Sequence, residues 1–410
     1  DGTRETLLYF ERFFPSFKRI SFPSGLKVND WEIPLEWNVK EAFIEHVQTR
    51  KRYAQFNINN LHLIGYSIPI NTILKLTDLR KNLHFLKDQP DSIPYRTSYY
   101  KEDWGFCLSY EDYKNLPEGD YHVVIDSSFK KGSLDLSHSL IRGKIKDEIM
   151  FSSYICHPSM ANNELSGPVI LAALLEYLNN NYPNNYYSYR FVLSPETIGA
   201  IAYISKEYRI LSRRLRAGLI LTCLGDDGPY SIVQTPYQNT FADEIAMAYI
   251  SSLRKTKTYS YLDRGSDERQ YCAPNVDLPV CTLSRSKFGT FSEYHTSADN
   301  LDFISNTAMQ SSFDQIKNII DILEGGIYIR STTLGEPQLG RRNLYRNLST
   351  PLKSSSEKDR MNLIAYSNGT NSIFKICKIC DISLDNAIAE VDLLVDAGIL
   401  KRSYKPINRL

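Results

Sequence analysis

From about Val123 onward, short apolar runs alternate with longer helical ones, and few architectures accept that order. Val123-Val124-Ile125, Ile149 to Cys156, Tyr189 to Leu193, Ala217 to Leu224 and Leu278 to Leu283 read as strands, while Pro168 to Asn179 and Thr307 to Leu323 read as helices. Strands buried on both faces are apolar throughout, and crossover helices between them cover the sheet. The pattern therefore predicts an α/β domain with a mostly parallel sheet flanked by helices.

The rest of the 410 residues do not fit that pattern. An amphipathic stretch, Thr6 to Phe14, opens the chain, and Phe22 to about Val123 is rich in proline, tyrosine, tryptophan and short alternations such as Leu61-His62-Leu63-Ile64-Gly65-Tyr66. That texture predicts a β-rich insertion. Weakly periodic sequence from Thr332 to Lys358, with Gly335, Pro337, Gly340 and Ser354-Ser355-Ser356, reads as a linker. Beyond it, Asp359 to Tyr366, Ser372 to Cys380 and Leu384 to Ala397 read as three helices before Gly398-Ile399-Leu400-Lys401, a winged-helix order. The expected division is 1–22 with 123–331 for the α/β domain, 23–122 for the insertion, 332–358 for the linker and 359–410 for the winged helix.

Charge and composition narrow the partners. Lysine plus arginine (48) nearly cancel aspartate plus glutamate (47), so no global field holds a nucleic acid or an anionic membrane. The expected recognition helix, Leu384 to Ala397, carries Asp385, Glu390, Asp392 and Asp396 without a lysine or arginine, which opposes phosphate binding and favours packing within the chain or a dimer. No apolar run nears the roughly 20 residues of a spanning helix. The start, Asp1-Gly2-Thr3-Arg4-Glu5, lacks the layout of a secretory signal. Seven cysteines form an odd set, with Cys156, Cys223 and Cys281 in apolar segments, as in a reducing cytoplasm. A small molecule or peptide is the expected partner, and a homo-oligomer stays open.

In sheets of this kind ligands sit beyond the carboxyl ends of the strands. One strand ends on His157-Pro158, a second on Ser194-Pro195-Glu196, and a third leads to Glu293-Tyr294-His295-Thr296. A hydrolytic metal site needs imidazole or carboxylate ligands and a carboxylate beside the attacking water. His157 and His295 are candidate ligands and Glu196 the candidate base. Read singly, each histidine is as well explained as a structural residue, and Glu196 as a helix cap. Asp267, Glu268 and Arg269 form a polar segment suited to one wall of the pocket, with Arg269 able to fork onto a carboxylate or phosphate. Phe288-Gly289-Thr290-Phe291 is a candidate aromatic wall beside His295, and Cys377-x-x-Cys380, with no second pair, reads as core packing.

Cys156-His157-Pro158 with Asn162-Asn163-Glu164-Leu165-Ser166-Gly167, Pro195-Glu196-Thr197-Ile198-Gly199, Gly265-Ser266-Asp267-Glu268-Arg269-Gln270-Tyr271 and Tyr294-His295-Thr296-Ser297-Ala298-Asp299-Asn300 resemble the motifs of a bacterial aminopeptidase-like family. That family lies in the zinc exopeptidase superfamily with leucyl aminopeptidases and aminopeptidase Y. The resemblance covers nearly the whole chain, including the inserted β domain and the terminal winged helix. It implies two histidine ligands, a bridging aspartate, a glutamate, a second aspartate and a glutamate base around two zinc ions.

The chain departs from that set. His157, His295 and Glu196 match, but the bridging aspartate falls on Asn163, the glutamate ligand on Thr197 and the second aspartate near Thr222. An amide and two threonines cannot balance a pair of dications. The expectation becomes one zinc between His157 and His295, with Asn163, Glu196 or Glu268 completing its shell, or no zinc at all. Asp226 or Asp227 reaching back from the third strand is a further repair, although Asp226-Asp227-Gly228-Pro229 reads more simply as a turn. The resemblance implies a metal-dependent hydrolase of amide bonds with Glu196 as general base. Because members of the family often accompany genes for surface-polysaccharide synthesis, it also implies aminoacyl or acyl sugars beside peptides as substrates. The alternative is a catalytically inactive scaffold that binds a ligand or protein partner through the same cleft.

Overall fold

The computed structural model describes residues 2–251, 253–344 and 355–407. Residues 345–354 of the expected linker and 408–410 of the expected winged unit lie outside the described residues.

An eight-stranded sheet carries the main domain, in the order Lys18–Pro23, Ser133–Ile141, Ser188–Ser194, Glu148–Tyr154, Leu215–Leu221, Val280–Ser284, Tyr230–Val233, Thr256–Tyr259. Its four middle strands, from Ser188–Ser194 to Val280–Ser284, are mutually parallel, and the strands flanking them join antiparallel. Every residue of Glu148–Tyr154 and Ser188–Ser194 is buried, which is why both read as continuous apolar runs rather than alternations. One face packs on helices Ser166–Asn181, Phe241–Ser251 and Asn306–Gly325, through residues such as Leu171, Leu175, Ile245, Ile316 and Ile320. The other is covered by Ile198–Arg214, through Ala202, Tyr203 and Leu211.

Gly167 shows why helix Ser166–Asn181 starts where it does. A Cβ there would run into the carbonyl oxygen of Leu221 and the Ser153 hydroxyl, so only glycine lets the helix start lie against the strand ends. Ser153 Oγ in turn donates to Leu221 O at 2.7 Å and ties the two strands beneath it.

The insertion has a sheet and a core of its own. Arg52–Tyr53, Glu36–His46, Asp120–Lys130 and Ile70–Lys75 pair antiparallel in that order. The boundary drawn at 123 therefore cuts a strand: Val123-Val124-Ile125 belongs to the small sheet. Tyr121, Val123 and Ile125 turn inward onto Ala42, Ile44, Leu76 and Phe106, and the half-buried Val124 between them makes the sequence read as a run. The main sheet resumes with Ser133–Ile141, paired to Lys18–Pro23.

The second boundary shifts for the same reason. Tyr328–Ser331 is the middle strand of a three-stranded sheet with Asn368–Ser372 and Leu400–Ser403, so the winged unit recruits residues from before the expected linker. Helices Ser355–Tyr366, Ile373–Cys380 and Leu384–Asp396 complete it. It packs on its own chain: Phe374 meets Phe241, Ser372 Oγ donates to Glu244 at 2.6 Å, and Tyr404 stacks on Tyr186 with centroids 4.0 Å apart. Two acids of the last helix are held internally, Glu390 by Arg360 and Asp392 by Arg402. Cys377 lies in the core of this unit, with Cys380 packed against it. Among the described residues no helix is long and apolar enough to cross a membrane, and all seven cysteines are free.

Candidate metal centre

Parallel pairing brings the candidate residues to one sheet edge. Tyr154 lies opposite Ser194, so the two strands end level and His157 and Glu196 leave them side by side. His295 arrives from the loop after Val280–Ser284. Ser159, Thr197, Cys223 and His295, none of them glycine, hold positive φ between 51° and 64° around this edge. Such backbone is unfavourable for ordinary side chains and concentrates where a site needs it.

The two imidazoles face one another with ring centroids 5.1 Å apart and planes inclined by 37°. His295 Nε2 is buried and has no hydrogen-bond partner. Burial, then the charge of His157, pushes the His295 pKa down to about 3, so the ring stays neutral with a lone pair to offer. His157 is 7% exposed. Its Nδ1 lies 3.0 Å from Glu164 Oε2 and 3.4 Å from Cys156 Sγ, and its Nε2 lies 3.6 Å from Glu196 Oε2. Burial opposes a proton on His157, but Cys156 and Glu164 more than offset it and hold its pKa well above the ordinary value. Burial also raises the Glu196 carboxyl, and it holds Cys156 as a thiol at about 11. The Glu196 N–H donates to Cys156 Sγ at 3.2 Å.

These residues suit one divalent ion. A ligating histidine usually gives its other ring nitrogen to a carboxylate, and Glu164 provides that for His157, leaving Nε2 toward Glu196. The orphaned His295 Nε2 supplies the second nitrogen. Among the described residues Cys156, His157 and Glu164 alone bring three ligand atoms within 4.8 Å of one another. An ion there would leave the His295 nitrogen without a partner, so the Nε2 side accounts for more of the geometry.

The second locus implied by the family resemblance does not fit. Asn163, 1% exposed, receives a 2.9 Å hydrogen bond on Oδ1 from the Tyr154 hydroxyl, and its Nδ2 rests 3.7 Å from Met160 Sδ. Thr222 Oγ1 lies 2.6 Å from the same hydroxyl. The expected ligand Asn163 thus has its oxygen engaged and is not an open donor. Glu268 is unavailable too: Oε1 accepts from Gly265 N at 2.8 Å and Ser266 N at 3.2 Å, and Oε2 from Thr282 Oγ1 at 2.7 Å. Asp226 holds a turn, accepting from Gly228 N, Ser286 Oγ and Asn162 Nδ2.

Asp267 and Arg269 brace the backbone beside Glu196. Asp267 Oδ1 accepts from Thr197 N at 2.7 Å, and Arg269 Nη2 donates to Thr197 Oγ1 at 2.5 Å. Asp267 Oδ2 and Arg269 Nε are buried without partners. Burial, reinforced by Glu196, lifts the Asp267 carboxyl well above its ordinary range. The aromatic wall beside His295 is Tyr294, stacked on it at 3.9 Å, with Phe291 behind at 5.5 Å.

Three contributors were not legible as site residues. Glu164 lies within a quoted motif, and its distance of seven residues from His157 across one strand-end loop is the only hint. Tyr154 reads as strand core. Tyr95 comes from the insertion, its ring 5.1 Å from both imidazoles. Its loop is sewn to the His295 loop: Tyr95 N donates to His295 O at 2.8 Å, Ile93 N to Ser297 Oγ at 2.9 Å and Ser297 N to Ile93 O at 2.9 Å.

The α/β sheet thus presents two histidines and a glutamate at its carboxyl edge, and a winged helix follows it. Residues 1–326 match the family described as a domain of unknown function, DUF4910, and the chain belongs to that family. Residues 326–402 match a winged helix-turn-helix family, in accord with the strand at Tyr328–Ser331. A Clostridium acetobutylicum protein, provisionally named for polysaccharide biosynthesis with an aminopeptidase-like domain, is 36% identical over 404 residues, 98% of this chain and 92% of its own. A crystal structure from the same organism, provisionally called a peptidase, superposes with TM-score 0.86 at 33% identity over 98% of this chain and 91% of the other. The zinc aminopeptidase of Bacillus subtilis shares the fold at TM-score 0.55 and 11% identity, over 78% of this chain and 88% of its own.

Proposed function

We propose that the chain is a metal-dependent hydrolase of amide bonds whose ion is held by His157 and His295. One observation carries this reading: His295 Nε2 is buried, neutral and unpartnered opposite an imidazole whose far nitrogen is already fixed by Glu164. A divalent ion held there supplies a polarised carbonyl and a more acidic water. Glu196 takes the proton of the attacking water as its oxygen bonds to the carbonyl carbon. The same carboxyl then gives that proton to the amine as the C–N bond breaks. Burial raises its pKa, the direction that strengthens it as a base. Asp267 and Arg269 keep Thr197, and so the adjoining Glu196, in place, and Tyr95 and Tyr294 wall the pocket with aromatic surface.

The substrate is a peptide or an aminoacyl or acyl sugar conjugate. The name of the Clostridium relative favours the sugar, as does a row of stacked rings, Trp37, Tyr66 and Tyr99, at 5.7 and 6.1 Å. Tyr99 is exposed and close enough to feel the charges of His157, Glu196 and Arg269, so a sugar ring laid on it would border the pocket.

The test is turnover of aminoacyl anilides, dipeptides and N-acyl amino sugars by zinc-loaded protein. Glu196→Gln lowers turnover by about 10²–10⁴-fold with metal content intact; undiminished turnover removes Glu196 as the base. The neutral Tyr154, Asn163 and Thr222 group favours a second reading, a scaffold that binds a ligand or partner without chemistry. It expects no bound metal and no hydrolysis across that panel.

A further inference from the structure

A buried phenol, Tyr154, stands beside His157. Its ring is 5.6 Å from that of His157, and its hydroxyl lies 2.9 Å from Asn163 Oδ1 and 2.6 Å from Thr222 Oγ1. A hydroxyl has one proton to give. Tyr154 gives it to Asn163 Oδ1, and Thr222 has one proton to share between the Tyr154 oxygen at 2.6 Å and Asn163 O at 3.2 Å. The group is neutral and hydrogen-bonded within itself. It stands where the family resemblance calls for two aspartates on a second ion.

The acidic groups that remain tell the same story. Glu164 and Glu196 flank His157, whereas the other carboxylates nearby are already held by protein donors, Asp267 by Thr197 N, Glu268 by Gly265 N, Ser266 N and Thr282 Oγ1, and Asp299 by the N–H groups of Ala161, Asn162 and Asn163. Two carboxylates compensate one dication and leave a second uncompensated in a buried site. A hydrogen-bonding phenol fills the vacated space without introducing charge.

We infer that the Tyr154 hydroxyl stands in for a second metal ion, converting a two-ion fold into a one-ion site, and that removing it while restoring two carboxylates reopens the second locus. This rests on the hydrolase reading above, and the experiment separates the two. Wild type, Asn163→Asp/Thr222→Asp, and the triple variant adding Tyr154→Phe are loaded with zinc, freed of loose metal by gel filtration and counted by plasma mass spectrometry.

The expected contents are about one ion per chain for wild type and the double variant and about two for the triple variant, with each ion needing several charged or imidazole ligands. Two ions in the double variant overturn the inference, because Tyr154 then blocks nothing. One ion in a triple variant that melts cooperatively overturns it as well. If the triple variant fails to fold, anomalous scattering from zinc-soaked wild-type crystals decides: one peak between the histidines supports the inference, and a second beside Asn163 refutes it. Wild type without metal takes down the hydrolase reading together with this inference, whereas failure of the variants alone leaves that reading standing.

Discussion

His157 stands between two tyrosines that do opposite things. On one side Tyr154, from the strand that delivers the histidine, spends its hydroxyl on Asn163 and Thr222. On the other Tyr95, from the insertion, packs its ring on both imidazoles, and its hydroxyl makes no hydrogen bond among the described residues. Buried polar groups in folded proteins are normally paired, so unpaired ones mark where something else binds. By that criterion the Tyr154 side is structure and the His295 side is a receptor. The unpartnered buried atoms of the histidine side are His295 Nε2 and Glu164 Oε1, and no atom of Tyr154, Asn163 or Thr222 is among the buried unpartnered ones described.

The strongest way to break this comparison is to delete the receptor. His157→Ala with His295→Ala takes bound zinc from about one ion per chain to none, since two nitrogen ligands are lost together. Full retention of metal in that variant places the ion elsewhere, with Cys156 and Glu164 the first place to look. Glu164→Gln sharpens the comparison at smaller scale. It keeps the size and a hydrogen bond to His157 Nδ1 but removes the charge, and it weakens zinc binding by about 10–100-fold, as removing an outer-shell carboxylate does. Competition with a chromophoric chelator measures this. Unchanged affinity makes Glu164 a packing residue only.

The site was half legible in the sequence, and the division is physical. His157, Glu196 and His295 follow strands, so topology alone gathers them at one edge. Asn163 was legible as a position but not as a state, because its partner, Tyr154, alternates into a strand and looks like any buried aromatic. Glu268 looked like a ligand because its charge is visible, whereas the two backbone N–H groups and the threonine hydroxyl that consume it are not. Tyr95 left no trace, since its contact with His295 depends on how the insertion's loop hydrogen-bonds to residues about 200 positions away. The fold was read more completely, because helix and strand periods are local. Its two boundary errors came where strands at 120–130 and 328–331 join small sheets whose partners lie far along the chain.

The smallest effect separates the tyrosines themselves. Tyr154→Phe leaves the buried Asn163 Oδ1 with only the weak, long contact from the Cys223 thiol at 3.8 Å, and a buried polar group stripped of its main partner costs about 1–3 kcal/mol. Tyr95→Phe removes a hydroxyl that bonds to nothing described and keeps the ring on both histidines, so its effect stays within about 0.5 kcal/mol. Urea unfolding of the two variants under metal-free conditions compares them directly, with the slope checked so that midpoints report stability. Equal losses mean that the Tyr95 hydroxyl has a structural partner after all, and the pocket loses its asymmetry. A loss confined to Tyr154→Phe leaves the hydroxyl of Tyr95, whose ring the insertion packs on both histidines, as a group available to substrate.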